Sequence, residues 1–183
     1  DDWGNALFEQ WRIDQGLSVS QVTPLEKLMF IGSRGMGALE FVPDAQINPR
    51  AEKIDIAALA QLAQKIFNDR EKAVIEPNET ITKKLLMMVG TSVGGRQPKA
   101  LIAIHKETGE IRSGQIAGLE GYNYYILKFG NAERSLAELE MTYHGMACMA
   151  GIHMMPSRLL EADGEKHFLT QRFDRMNCQK WHL

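Results

Sequence analysis

A glycine-rich segment between two apolar runs is the feature of this sequence that most constrains its fold. Leu85 to Val89 precedes the segment Gly90 to Lys99, and Ala100 to His105 follows it, each with the length of a buried strand. Because glycine has no Cβ, the backbone N–H groups of such a loop can approach a phosphate closely, and Arg96 and Lys99 add cationic donors. The loop matches neither the Walker pattern nor G-x-G-x-x-G, so by itself it is equally well an ordinary connection between strands.

The segments downstream of this loop predict an ordered series of strands with one long helix. Tyr122 to Phe129 alternates as a strand does, and Arg134 to Ala150 has helical periodicity. Ser157 to Ala162 and His167 to Asp174 are predicted to form a hairpin around Asp163-Gly164. Strand, glycine-rich loop, strand, lysine-bearing strand, helix and two strands is the order found in the amino-terminal lobe of a protein kinase.

The long helix is predicted to pack through its apolar stripe. The residues expected on its buried side are Leu136, Leu139, Tyr143, Met146, Ala147 and Ala150. The methionines between Met146 and Met155 are expected to fill core space rather than to form a binding surface.

The first part of the chain is predicted to be rich in helices. Asn5 to Gly16 has apolar residues at helical spacing, and Thr23 with Glu26 forms a capping box at the start of a second helix. Ala38 to Val42 is predicted to be a strand, the polar stretch Asp44 to Glu52 a linker, and Asp55 to Glu71 an amphipathic helix. The expected fold class is therefore α+β, with a helix-rich subdomain ahead of an antiparallel sheet that carries one main helix.

Lys128 is a candidate phosphate-binding residue at the end of its predicted strand. Protein kinases use a strand lysine that is held toward the phosphates by a glutamate on the following helix. Glu140 lies 12 residues after Lys128, and Glu138 is the competing partner on a different side of the same helix. The alternative is that Lys128 extends to water and that both glutamates belong to a solvated helix surface.

The composition excludes several classes of protein. The formal net charge is -2, so no basic excess points to direct binding of nucleic acid. No apolar run has the length of a membrane-spanning helix, and a cytoplasmic location is expected, with no membrane partner. Two cysteines 30 residues apart, Cys148 and Cys178, are typical of reduced thiols. The histidines and cysteines lack zinc-site spacing, so no metal ligand is predicted.

Several motifs, taken together in their order, resemble the HipA toxin kinases. They are the loop Gly90 to Lys99, the strand end Leu127-Lys128, Ala150 to Ile152 with Pro156 beyond it, the exit Arg172-Phe173-Asp174-Arg175, and the segment Leu28 to Pro43. The resemblance covers nearly the whole chain. It implies that residues 1–75 are a helix-rich subdomain that is incomplete at its start, and that residues 76–183 form a kinase-like amino-terminal lobe.

The resemblance also implies residue roles. Lys128 pairs with nucleotide phosphates with Glu140 as its partner, Gln171 and Phe173 bind adenine through backbone groups, and Ser92 is a site of autophosphorylation that would compete with ATP. The residues expected to contact the phosphates are Gly94, Gly95, Arg96, Gln97, Pro98 and Lys99. Catalytic residues and the principal ligands of Mg²⁺ are expected in a helical lobe absent from this chain, so the fragment alone is expected to be inactive.

The function implied by the resemblance is that of a serine/threonine protein kinase. ATP and Mg²⁺ are the expected cofactors, and the expected partners are a protein substrate, with an aminoacyl-tRNA synthetase as a candidate, and a helix-turn-helix HipB-like antitoxin that contacts DNA. The alternatives are a non-catalytic module that docks the antitoxin, with residues 1–75 as the surface that matters, and a kinase for a small molecule.

Overall fold

The computed structural model describes residues 2–45, 53–68, 97, 99–115, 117–130, 135–162, 164–176 and 179–182. The helices are α1 (Asp2–Asp14), α2 (Pro24–Ile31), α3 (Ile56–Asn68) and α4 (Leu136–Met149), with short 3-10 turns at Val19–Gln21 and Gly32–Arg34. The strands are β1 (Lys99–His105), β2 (Ile111–Ser113), β3 (Tyr122–Lys128), β4 (Ser157–Ala162), β5 (Glu165–Gln171), β6 (Arg175–Met176) and β7 (Gln179–Lys180).

Five of the strands form one antiparallel sheet. Its strand order is β2-β1-β3-β5-β4, and β6 with β7 forms a separate two-stranded ribbon. In the central pair, β1 runs against β3 from Lys99 opposite Lys128 to His105 opposite Tyr122. The combination of helices with an antiparallel sheet agrees with the predicted α+β class. The predicted hairpin of β4 and β5 is confirmed.

One side of the sheet packs against the helices of the first part of the chain. Leu7 and Trp11 of α1, Phe30 of α2 and Leu59 of α3 share a buried cluster with strand residues such as Leu127. The start of α2 is fixed as predicted, because Thr23 accepts a hydrogen bond from the backbone N–H of Leu25 and Glu26 completes the capping box. The division of the chain after residue 75 stays a prediction.

Helix α4 lies on the opposite side of the sheet, and its predicted buried side was wrong. Leu139, Tyr143 and Met146 are about half exposed or more, at 49%, 62% and 58%, whereas Ala137 is fully buried. The predicted core methionines are also exposed; they include Met149 and Met154 in addition to Met146. The reason is that α4 turns small and polar residues toward the sheet, where the strands present lysine side chains.

The predicted strand at Ala38 to Val42 was also wrong. This segment is irregular, Leu39 and Val42 are exposed, and the Phe41 N–H donates to the carbonyl of Gly32 rather than to a neighbouring strand. The short apolar run had the composition of a strand, but the described residues provide no partner strand for it.

Other boundaries shift by a few residues. The last sheet strand covers Glu165–Gln171 rather than His167 to Asp174, and β1 begins at Lys99. The predicted strand at 85–89, most of the glycine-rich loop, residues 46–52 of the predicted linker Asp44 to Glu52, and residues 69–84 lie outside the described residues. No helix among the described residues is long and apolar enough to cross a membrane.

Glu110 gives this sheet a pH-dependent contribution to stability. Hydrogen bonds from Lys53, then Arg112 and Tyr122, lower the pKa of Glu110 from 4.5 to about 2. Because the folded pKa lies below the unfolded one, the contribution is complete above the unfolded pKa and is lost as the pH falls through the folded pKa. We expect Glu110→Gln to be clearly less stable than the parent chain in urea unfolding at about pH 6, and the gap to narrow at about pH 3. A gap that does not change with pH would contradict this assignment.

Candidate functional site

The end of β3 and the adjoining turn of α4 bring together a lysine and a glutamate. The Nζ atom of Lys128 donates to Oε2 of Glu140, and both side chains are about one quarter exposed. The pair therefore lies at the edge of the structure, reachable by a ligand and partly shielded from water. Strand geometry places Lys128 on the α4 side of the sheet, where its ammonium also lies 5.5 Å from the centroid of the Phe168 ring.

Glu138, the competing partner, is directed elsewhere. It pairs with Lys166 of β5 at 3.7 Å, and both side chains are more than 40% exposed. Glu138 and Glu140 are two positions apart along α4, which rotates them onto different sides of the helix. Among the described residues, α4 therefore forms ion pairs with two strand lysines, and the pair at Lys128 is the less exposed.

A second lysine lies directly opposite Lys128 on the neighbouring strand. Lys99, the first residue of β1, is the register partner of Lys128, and its Nζ donates to the carbonyl of Gln97 at 2.8 Å. Burial lowers the pKa of the Lys99 amine, the charge of Lys128 lowers it further, and Glu140 acts in the opposite direction. Like charges that face each other on neighbouring strands are unfavourable, and the Lys99–Lys128 pair brings two positive charges close to Glu140.

Gln97 links the end of the glycine-rich loop to this cluster. Its side-chain amide donates to the carbonyl of Phe129 at 2.8 Å, immediately beyond Lys128. The other predicted loop contacts, Gly94, Gly95, Arg96 and Pro98, and the predicted phosphorylation site Ser92, lie outside the described residues.

The exit of β5 carries the two residues predicted to act through backbone groups. The Gln171 N–H donates to the carbonyl of Pro156 at 2.9 Å, and the N–H of the next residue, Arg172, donates to Tyr124 of β3 at 2.8 Å. Phe173 follows with its side chain 51% exposed. The backbone at Gln171 and Phe173 is therefore near the surface, where the ladder of β5 ends.

Buried charges on either side of Phe173 are a feature that the sequence did not predict. Arg172 reaches Asp174 through two hydrogen bonds of 2.8 and 2.7 Å, and Arg175 donates to the same carboxylate at 2.9 Å. All three side chains are almost completely inaccessible to solvent. We call Arg172, Asp174 and Arg175 the charged buckle.

The charged buckle binds the loop after α2 through hydrogen bonds to its backbone. The Gly37 N–H donates to Asp174 at 2.8 Å, and Arg175 donates to the carbonyls of Gly37 and Gly35 at 3.0 and 2.9 Å. Burial would raise the pKa of the Asp174 carboxyl, but the hydrogen bonds and charge of Arg172 hold the pKa below its usual value. Burial also lowers the pKa of Arg175 to about 10. The sequence analysis placed Arg172 and Asp174 at the end of the predicted strand His167 to Asp174, and the motif Arg172-Phe173-Asp174-Arg175 gave no signal that its charges are buried.

Comparison with known proteins assigns the family. The family model described as the HipA-like C-terminal domain matches residues 91–183, just over half of the chain. This chain belongs to the HipA-like family. No protein of curated function matched it.

The fold of this HipA-like chain also matches a solved structure. That structure is the complex of HipA, HipB and operator DNA from the toxin–antitoxin system of Shewanella oneidensis MR-1, matched with a TM-score of 0.52 and 20% identity. The match covers 96% of this chain and 40% of the Shewanella chain. At this identity the match shows a shared fold, and this chain spans less than half of its relative.

The described site residues of this HipA-like chain all fall within the family match. They are Gln97, Lys99, Lys128, Glu140, Gln171 and Phe173. Among the described residues, no group of three or more His, Cys, Asp or Glu side chains could hold a metal ion. The donors that the site offers are ammonium and amide groups, which suit an anion.

Proposed function

We propose that this HipA-like chain binds the phosphates of ATP at Lys128 and Lys99 and is the nucleotide-binding part of a serine/threonine protein kinase. The observation that carries the proposal is the cluster of Lys128, Glu140 and Lys99, at the point where β1 begins and β3 ends. A phosphate group placed between the two ammonium groups would remove their mutual repulsion. Glu140 would hold Lys128 in position, because an ion pair restricts a side chain that otherwise has many rotamers.

The adenine ring is proposed to bind at the exit of β5. Backbone groups of Gln171 and Phe173 would contact its edge, and the exposed Phe173 side chain lies beside them. The glycine-rich loop from Gly94 to Lys99 would cover the phosphates. Ser92 is proposed as the site of autophosphorylation, since a phosphate there would compete with ATP for the same cationic donors.

Phosphoryl transfer is proposed for the whole protein rather than for this chain. The chain spans 40% of the Shewanella HipA chain. The catalytic residues and the principal ligands of Mg²⁺ are proposed to lie in the part of the fold that the chain does not span. Positioning and charge neutralisation supply most of the catalysis in phosphoryl transfer, and the lysine cluster would contribute both.

Two matched variants on α4 test the phosphate site. We expect Glu140→Gln to weaken binding of ATP with Mg²⁺ about tenfold, because Lys128 loses its charged partner. Glu138→Gln alters the neighbouring ion pair on the same helix, and we expect it to change the affinity less than about twofold. Isothermal titration calorimetry measures both. Absence of ATP binding by the parent chain, or equal effects of the two variants, would contradict the proposal.

A second candidate function is docking of an antitoxin. It is favoured by the fold match to HipA in a complex that also contains HipB and operator DNA. A helix-turn-helix protein would then be the direct partner of this chain, and DNA would be contacted through that partner. Complex formation that is insensitive to Lys128→Ala, without ATP binding, would favour this function over the first.

A further inference from the structure

The residue before the edge strand β4 forms an incomplete hydrogen-bonded pair with the last residue of β5. Ser157 is the register partner of Thr170, so the next pair outward consists of Pro156 and Gln171. The Gln171 N–H donates to the Pro156 carbonyl at 2.9 Å, which identifies this pair as one of the hydrogen-bonded type. Such a pair normally exchanges two bonds, but proline has no N–H to return to the Gln171 carbonyl.

The Gln171 carbonyl points to the side of β5 on which β4 lies, just before the first residue of β4. The N–H and C=O groups of one strand residue point in the same direction, and those of the next residue point in the opposite direction. Arg172 accordingly donates to Tyr124 on the β3 side, whereas Gln171 points toward Pro156. The Gln171 carbonyl oxygen receives no hydrogen bond from Pro156, because proline has no N–H. This oxygen is therefore directed past the exposed end of the sheet, beside Phe173.

We propose that Pro156 determines the base preference of the nucleotide site. By lacking an N–H, it leaves the Gln171 carbonyl to accept a hydrogen bond from the exocyclic amino group of adenine. Guanine carries a carbonyl oxygen at the equivalent position, so two acceptors would face each other, and the base would be disfavoured. This inference rests on the proposed function, because the phosphates must anchor the nucleotide close to Lys128.

The variant Pro156→Ala tests this inference by restoring one N–H. We expect the new amide at position 156 to bond to the Gln171 carbonyl and to weaken ATP binding about threefold to tenfold. The preference for ATP over GTP should shrink by a similar factor, whereas binding of inorganic tripolyphosphate should not change. Pro24→Ala removes another exposed proline, at the start of α2, and should alter none of these affinities.

Hydrogen exchange adds a readout that does not depend on the nucleotide. The new amide at position 156 should exchange slowly in the absence of ligand, as a ladder amide does, and faster exchange than in neighbouring β4 amides would overturn the inference. An unchanged ATP-to-GTP preference in Pro156→Ala would overturn it while leaving the proposed function intact. A parent chain that binds neither ATP nor tripolyphosphate would overturn both the inference and the proposed function. Equal losses of affinity for ATP and for tripolyphosphate in Pro156→Ala would show that the variant disturbs the whole site, and would overturn the inference.

Discussion

Replacing Asp174 with alanine is expected to lower the free energy of unfolding by about 3–5 kcal/mol, because two buried arginines lose the carboxylate that they share in the charged buckle. Arg172 and Arg175 have almost no solvent exposure, so water cannot take over the role of the carboxylate. The Gly37 N–H also loses its acceptor, which loosens the loop after α2. Asp174→Asn keeps the shape of the side chain and removes the charge, so we expect a loss of similar size.

Urea unfolding of the two variants measures this effect. Glu9→Ala is the matched control, since Glu9 forms an exposed ion pair with Arg12 at 2.8 Å and its removal should cost less than about 1 kcal/mol. A loss for Asp174→Ala no larger than that of the control would show that the buckle contributes little. The pKa of Asp174 is lowered in the folded chain, so its contribution should persist above the unfolded pKa and decline as the pH falls below it.

The variant Lys128→Ala is expected to weaken binding of ATP by about tenfold to a hundredfold, because it would remove the proposed charge-assisted hydrogen bond to a phosphate. Unfolding free energy should change little, since the side chain is only partly buried and its ion pair is accessible to water. The variant therefore separates binding from folding, which the Asp174 variants do not.

Lys166→Ala is the control for this prediction. Lys166 also extends from a strand of the sheet to a glutamate of α4, but it lies in the more exposed pair. Its removal should leave ATP affinity within about twofold of the parent value. In the whole protein incubated with ATP and Mg²⁺, mass spectrometry should find phosphate on Ser92 in the parent and in Lys166→Ala but not in Lys128→Ala. Equal affinities for ATP in the two lysine variants would contradict the assignment of Lys128.

The sequence by itself determined the local structure of much of this protein. Helical periodicity and the Thr23 capping box placed α1 and α2, and alternation placed β3 and the hairpin of β4 and β5. These features depend on residues close together in the chain, so local patterns predict them well. Spacing also made Glu140 one of two candidate partners of Lys128, but it could not choose between Glu140 and Glu138.

Only the tertiary structure decided how these elements face one another. An apolar stripe identifies α4 as a helix, but the surface that it meets determines its rotation, and here the sheet offers Lys128 and Lys166 to the two glutamates. The same reason explains the charged buckle. Charged residues such as Arg172 and Asp174 are usually exposed, yet their burial becomes favourable once the fold pairs them with each other. The fold also brings the Gly37 N–H to Asp174 and the Gly114 carbonyl to Arg172. Ala38 to Val42 shows the converse, because a strand-like composition forms no strand without a neighbouring strand to pair with.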